Sequence, residues 1–173
     1  EQIRQNLEKL WNFPRTSPPE RKGGRLFYLH NDGLQNQDVL FTQDNEAATP
    51  KVLLDPNTLS ADGTVALSDF AISKDGKLLA YGLSDAGSDW VTWRVRDIDK
   101  GQDRDDVVRW SKFASSVFHP NGKGFYYGRY PEPKADAAYE AINENHQLYF
   151  HRLGTQQSED RLIFADSEHA KRG

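Results

Sequence analysis

Cysteine is absent from this chain, and so is methionine. Without cysteine there is no disulfide framework and no thiolate metal site in these residues, and a reducing or an oxidising compartment suits the composition alike. No apolar run approaches the length that crosses a bilayer as a helix, and the N-terminus lacks the basic-then-apolar pattern of a secretory signal. An excess of one charge is missing too. Twenty-two Lys and Arg mix with 26 Asp and Glu for a net charge of −4, which leaves no basic stripe to neutralise phosphates. Neither nucleic acid nor a membrane is therefore an expected partner. The histidines (His30, His119, His146, His151, His169) have neither His-x-x-x-His spacing nor a carboxylate at ligand spacing, so no metal or cofactor is expected and each is assigned a packing or surface role. No Asp-x-Asp-x-Asp-Gly calcium loop occurs, and residues 103–106 read as a solvated turn.

What the chain does have is a repeat. Arg21-Lys22-Gly23-Gly24-Arg25-Leu26-Phe27-Tyr28 aligns with Lys74-Asp75-Gly76-Lys77-Leu78-Leu79-Ala80-Tyr81 and with Pro120-Asn121-Gly122-Lys123-Gly124-Phe125-Tyr126-Tyr127, spacing Gly23, Gly76 and Gly122 by 53 and 46 residues. A period near fifty in β-type sequence is the length of a propeller blade, a four-stranded sheet that cannot bury its own apolar faces and so stacks on its neighbours. Aromatic residues make up 12% of the chain, and such large flat side chains suit packing between sheets. The fold class expected is all-β: a partial β-propeller of about three four-stranded blades, preceded by a short N-terminal helix. Propellers close at four to eight blades, the chain starts at Glu1 rather than Met, and its last residues are polar, so a piece of a longer protein is expected.

Ile3, Leu7, Leu10 and Trp11 form an apolar stripe at helical spacing, and Pro14 ends that helix. A helix so short is marginal alone, so its stripe should dock on another body. Strands are expected near 13–17, 24–31, 37–43 and 51–55 in a first blade (13–57), near 69–73, 78–83, 90–97 and 106–110 in a second (64–111), and near 112–119, 124–129, 147–153 and 160–165 in a third (112–166). A long segment, 130–146, stands where the other blades have short loops, and insertions of that kind usually carry function.

Strands that alternate in direction put their loops on alternate faces. The loops between second and third strands, the long segment included, therefore share a face with the entries to the innermost strands, while the glycine turns lie opposite. Ser88-Asp89-Trp90 at a loop tip and Ser111-Lys112-Phe113 at a strand entry both fall on the insertion face. For each the ordinary alternatives stand alongside: Asp89 as a turn cap and Phe113 as a packed aromatic. Gly82-Leu83-Ser84-Asp85-Ala86 starts like a nucleophile elbow but lacks the closing glycine and precedes another strand rather than a helix, so it reads as structural.

Several ungapped blocks, among them Leu54-Asp55-Pro56-Asn57, Asp62-Gly63-Thr64-Val65-Ala66-Leu67, Ala80-Tyr81-Gly82-Leu83-Ser84, Gly87-Ser88-Asp89-Trp90-Val91-Thr92 and Leu153-Gly154-Thr155-Gln156-Gln157-Ser158-Glu159-Asp160, closely resemble the N-terminal propeller segment of the prolyl oligopeptidases, post-proline serine endopeptidases. The resemblance implies an α/β-hydrolase domain with a Ser-Asp-His triad, covered by a seven-bladed propeller. Residues 1–12 would be the end of the hydrolase domain's N-terminal segment, residues 13–173 blades one to three, and the triad would lie outside this chain, which alone would be inactive. It implies substrate-binding roles for Phe113, as an apolar subsite on the acyl side of the peptide, and for Asp89, near the substrate entrance. The segment 130–146 resembles the family's mobile interdomain loop. The partners implied are short proline-containing peptides and the catalytic domain of the same protein, as a monomer, with the cytoplasm as the expected compartment and the periplasm as the alternative. A non-catalytic propeller serving as an interaction platform, and an oligopeptidase of other specificity, remain the competing functions.

Overall fold

The computed structural model describes residues 1–133 and 142–171. The chain is mostly β and divides into two compact units, Glu1–Ala66 and Leu67–Gly173.

The first unit opens with helix α1, Gln2–Trp11, none of whose residues is buried. Its stripe of Ile3, Leu7, Leu10 and Trp11 is exposed. A five-stranded antiparallel sheet follows: β1 (Arg15–Thr16), β2 (Glu20–Lys22), β3 (Arg25–Asn31), β4 (Val39–Gln43) and β5 (Lys51–Leu54). Here the sequence reading needs correction. The strand expected over 13–17 shrinks to β1, and a second short strand, β2, pairs with the other half of β3. Pro18 and Pro19 cause the division, because neither has an N–H to give to the ladder. The β2–β3 turn takes positive φ at both Gly23 (55°) and Gly24 (85°), the backbone of a two-residue hairpin turn.

The second unit holds two four-stranded antiparallel sheets, each ordered as it runs in sequence. Strands β6 (Ala66–Ile72), β7 (Leu78–Ser84), β8 (Val91–Asp97) and β9 (Gln102–Ser111) make the first of these. Strands β10 (Ser116–Phe118), β11 (Gly124–Arg129), β12 (Gln147–Arg152) and β13 (Arg161–Ala165) make the other. Their first turns have the same design: the Gly76 N–H donates to the Ser73 carbonyl and the Gly122 N–H to the His119 carbonyl, each at 2.9 Å. Open sheets in this order are those of a partial propeller.

Alternation explains the core. Residues two apart on a strand point to one face, and Trp93, Val95 and Val108 from one sheet meet Phe118, Phe125 and Tyr127 from the other in a single cluster. Trp93, Phe125 and Tyr127 have no exposed surface, and each such burial contributes about 1.5–3 kcal/mol. Gly82 pairs with Trp93 across β7 and β8. A Cβ there would lie 2.6 Å from Val91 Cγ1 and 3.3 Å from the indole, so only glycine lets the ring lie flat on the strand. The last sheet leaves Val117, Leu162 and Phe164 exposed.

Beside this core lies a charged clasp. His151 on β12 is fully buried, with Nδ1 2.7 Å from Asp160 Oδ1 and Nε2 3.1 Å from Asp106 Oδ1 on β9. The Tyr127 hydroxyl donates to Asp160 Oδ2 at 2.7 Å, Arg104 Nε donates to Asp106 Oδ2 at 3.0 Å, and the Gly154 N–H donates to Asp106 Oδ1. Burial opposes a charged imidazole, but hydrogen bonds to Asp106 and Asp160, with their charges, outweigh it and raise His151 to about 9. Burial likewise works against the Asp106 carboxylate, and the bonds from His151, Gly154 and Arg104 hold it down at about 2. This overturns the reading of residues 103–106 as a turn. They lie inside β9, and Asp106 is buried because its negative charge is matched from the facing sheet.

His151 binds its proton more tightly in the folded state, so its contribution is complete below the ordinary value of 6.5 and fades as pH rises through about 9. Asp106 behaves oppositely, contributing above 3.8 and losing its contribution as pH falls through about 2. The thermal midpoint should therefore decline between pH 6.5 and 9.5, and a flat profile across that interval contradicts the charged clasp. His151→Gln removes the cation that the two buried carboxylates share and should cost about 3–5 kcal/mol, read from denaturant unfolding.

Candidate functional site

Phe113 and Asp89 come from different connections and line one open cleft of about 420 Å³, together with Asp69, Ser84, Ser88 and Val91. Asp89 sits in the tip between β7 and β8. That tip turns tightly, with left-handed backbone at Ala86 (φ 49°) and Gly87 (φ 72°), and the Ser88 N–H donates to the Asp85 carbonyl at 2.8 Å. The Ser88 hydroxyl then accepts from the Trp90 N–H at 3.1 Å, which starts β8. Gly82 and Ser84 lie in β7, a plain antiparallel strand, so the elbow-like sequence there has no elbow geometry.

Phe113 lies in the link between β9 and β10. The innermost strand expected from residue 112 begins only at Ser116, so Phe113 precedes the strand rather than opening it. The reason is a bulge. Val91 pairs with Ser111 and Trp93 with Val108, so Arg109 and Trp110 together face the single residue Thr92. Trp110 takes φ 66° and Phe113 φ 51°, left-handed values that cost roughly 1–2 kcal/mol per residue without glycine.

Strain of that kind persists only where the surroundings over-determine it, and here the next sheet does so. The Gln157 amide donates to the Arg109 carbonyl at 2.9 Å and accepts from its N–H at 3.0 Å. The Tyr130 N–H donates to the Trp110 carbonyl at 2.9 Å, and the buried Ser111 hydroxyl donates to the Gly128 carbonyl. Both backbone groups of Arg109 and the carbonyl of Trp110 are thus taken by partners from the next sheet and its connections. The consequence is that Phe113 stands 68% exposed while its neighbour Lys112 is only 7% exposed.

The cleft offers an exposed aromatic ring, two carboxylates (Asp69 and Asp89) and several hydroxyls. That combination suits an apolar side chain and hydrogen-bonding peptide groups. No imidazole lies among its described lining residues. A larger groove, about 860 Å³, runs along Asp103 to Val107 and Gly154 to Gln157. Its walls are charges already matched, Arg96 with Asp103 at 2.8 Å and Arg104 with Asp106 at 3.0 Å, which makes it solvent space over the clasp rather than a binding site.

Of the long segment expected over 130–146, residues 134–141 lie outside the described residues. Its ends are ordered against each other: the Tyr130 and His146 rings lie 4.9 Å apart, and burial pushes the His146 imidazole below its ordinary value. Sequence reasoning missed the clasp and the Gln157 amide, since the partners of Asp106 and Arg109 lie more than forty positions away.

All of residues 1–173 match the family model described as prolyl oligopeptidase, N-terminal beta-propeller domain. The chain belongs to the prolyl oligopeptidase family. It is 36% identical over 171 residues to a prolyl endopeptidase of Elizabethkingia miricola, covering 99% of this chain and 24% of that protein. It is also 36% identical over 199 residues to prolyl oligopeptidase A of Galerina marginata, covering 94% and 26%. A solved structure from work on two prolyl endopeptidases and their inter-domain dynamics superposes with a TM-score of 0.88 at 30% identity, over 96% of this chain and 24% of the other. Substrate-bound prolyl oligopeptidase B from Galerina marginata gives 0.84 at 29% identity, over 96% and 26%. The chain therefore spans about a quarter of the length of the relatives it matches.

Removing the Ser111 hydroxyl leaves the Gly128 carbonyl unpaired beside a strained bulge. Ser111→Ala should cost about 1–3 kcal/mol in denaturant unfolding, whereas Ser115→Ala, in the open cleft, should change stability by less than about 0.5 kcal/mol.

Proposed function

We propose that this chain is the substrate-facing part of a serine endopeptidase that hydrolyses short peptides after proline. In this reading residues 1–12 end the hydrolase domain's N-terminal segment, and residues 13–173 form blades one to three, over about 13–57, 64–111 and 112–166. The triad lies elsewhere in the protein, so the chain alone is inactive. The match of the whole chain to the propeller domain of this family supports the reading most strongly. The exposed stripe of α1 suits docking on the catalytic domain, and the exposed Val117, Leu162 and Phe164 suit a further sheet.

Catalysis would take the acyl-enzyme route. An activated serine attacks the carbonyl carbon of proline, backbone N–H groups hold the oxyanion that develops, the C–N bond to the next residue breaks as its amine leaves with a proton from the catalytic base, and water then releases the acyl product. The propeller covers that site, which keeps folded proteins out and keeps bulk water from the reacting groups. Phe113 takes an apolar residue upstream of proline, and Asp89 favours a basic group on the same peptide.

Assays of the full-length protein on matched proline and arginine peptides test the reaction class: cleavage after proline is expected, and exclusive cleavage after arginine overturns it. Phe113→Ala should lower kcat/KM for peptides with an apolar residue upstream of proline by about 1–3 kcal/mol, or roughly 5- to 150-fold. Unchanged kinetics would remove Phe113 from the binding surface.

A further inference from the structure

Asp89 and Phe113 face the cleft, and the residue next to each in sequence turns the other way. Those two neighbours meet. The Lys112 ammonium lies 4.0 Å from the centroid of the Trp90 ring. Trp90 in turn stands edge-on to Trp110, with centroids 5.5 Å apart and planes at 88°. Lys112 Nζ also donates to Asn143 Oδ1 at 3.2 Å. We propose that Lys112 is a positioning residue that fixes the spacing between Phe113 and Asp89 by clamping the β9–β10 link to the β7–β8 tip through Trp90.

Three observations carry this. First, the clamp joins the only two connections that supply Asp89 and Phe113 to the cleft, and it does so one residue from each. Second, Lys112 is buried although lysine is almost never fully buried without a partner. Among the described residues its charge meets an indole face and an amide oxygen, a contact that strengthens when water is excluded. Third, the backbone is left-handed at Trp110 near the end of β9 and again at Phe113 in the link, so its shape is not what the chain would adopt without side-chain anchors. Ser111 anchors the buried side of the link to Gly128, and Lys112 is the anchor on the side of the tip. Losing the clamp frees the Phe113 ring to move relative to Asp89 without touching the reacting atoms.

The proposal rests on the reading that the cleft binds peptide upstream of proline, and the test separates the two. In the full-length protein, Lys112→Met keeps the length of the side chain and removes its charge, Lys112→Arg keeps a cation that stacks on indole, and Trp90→Leu removes the ring from the other side. Each is assayed for kcat and KM on a proline peptide too short to reach the cleft and on one extended upstream by an apolar residue. Lys112→Met and Trp90→Leu should each lower kcat/KM on the extended peptide about 10-fold, mainly through KM, with the short peptide unchanged. Lys112→Arg should recover most of that loss. Combined with Phe113→Ala, Lys112→Met should add less than about 2-fold, since the two act on one contact. Equal losses on both peptides, full additivity with Phe113→Ala, or no loss on the extended peptide would overturn the clamp. If Phe113→Ala itself fails to distinguish the two peptides, the peptide-binding reading falls, and the clamp as a substrate-positioning device falls with it.

Discussion

A protonated imidazole held between two carboxylates, out of water, is what makes the last two sheets one body. Taking His151, Asp106 and Asp160 out of solvent costs several kcal/mol per charge, and close geometry with further hydrogen bonds to the carboxylates offsets it. Tyr127, Arg104 and Gly154 supply those further bonds. Apolar packing of Trp93 against Phe125 and Tyr127 gives adhesion, but it is tolerant of sliding. The charged pair fixes the register between β9 and β12, because a shift by one residue would strand three buried groups.

That register decides what happens at the other end of β9. Gln157 and Asp160 belong to the same short stretch after β12, so the clasp that places Asp160 also places the amide that takes both backbone groups of Arg109. From there the bulge at Arg109 and Trp110, the bond from Ser111 to Gly128, and the outward turn of Phe113 follow in sequence. The cleft is in this sense a product of the joint between two sheets rather than of either alone. The fold is shared by many proteins of other functions, and what is particular here is an aromatic side chain held out of the core by strained backbone, opposite a carboxylate on a tight tip.

Much of the architecture was legible in the order of residues. The glycine turns at Gly76 and Gly122 were visible because tight turns need particular backbone angles, and strand alternation placed Phe113 and Asp89 on one face before any coordinates. The first repeat misled slightly: the strand expected over 13–17 is only Arg15–Thr16, and the short strand Glu20–Lys22 beyond Pro18 and Pro19 was not foreseen. Asp103 to Asp106 misled more. A run of acidic residues ordinarily signals solvent, and nothing local shows that Asp106 has a cation waiting on a strand 45 positions later. Lys112 was equally silent, a basic residue between a serine and a phenylalanine, whose partner Trp90 lies on another hairpin.

The charge on His151 is the most direct thing to measure. Nitrogen-15 chemical shifts of its ring, followed by NMR on selectively labelled protein, report whether one or both ring nitrogens carry a proton. The account predicts both protonated at pH 7.5, with loss of one proton only near pH 9. A neutral ring at pH 7.5, with a single protonated nitrogen, would contradict the clasp and with it the chain of contacts from that joint to the cleft.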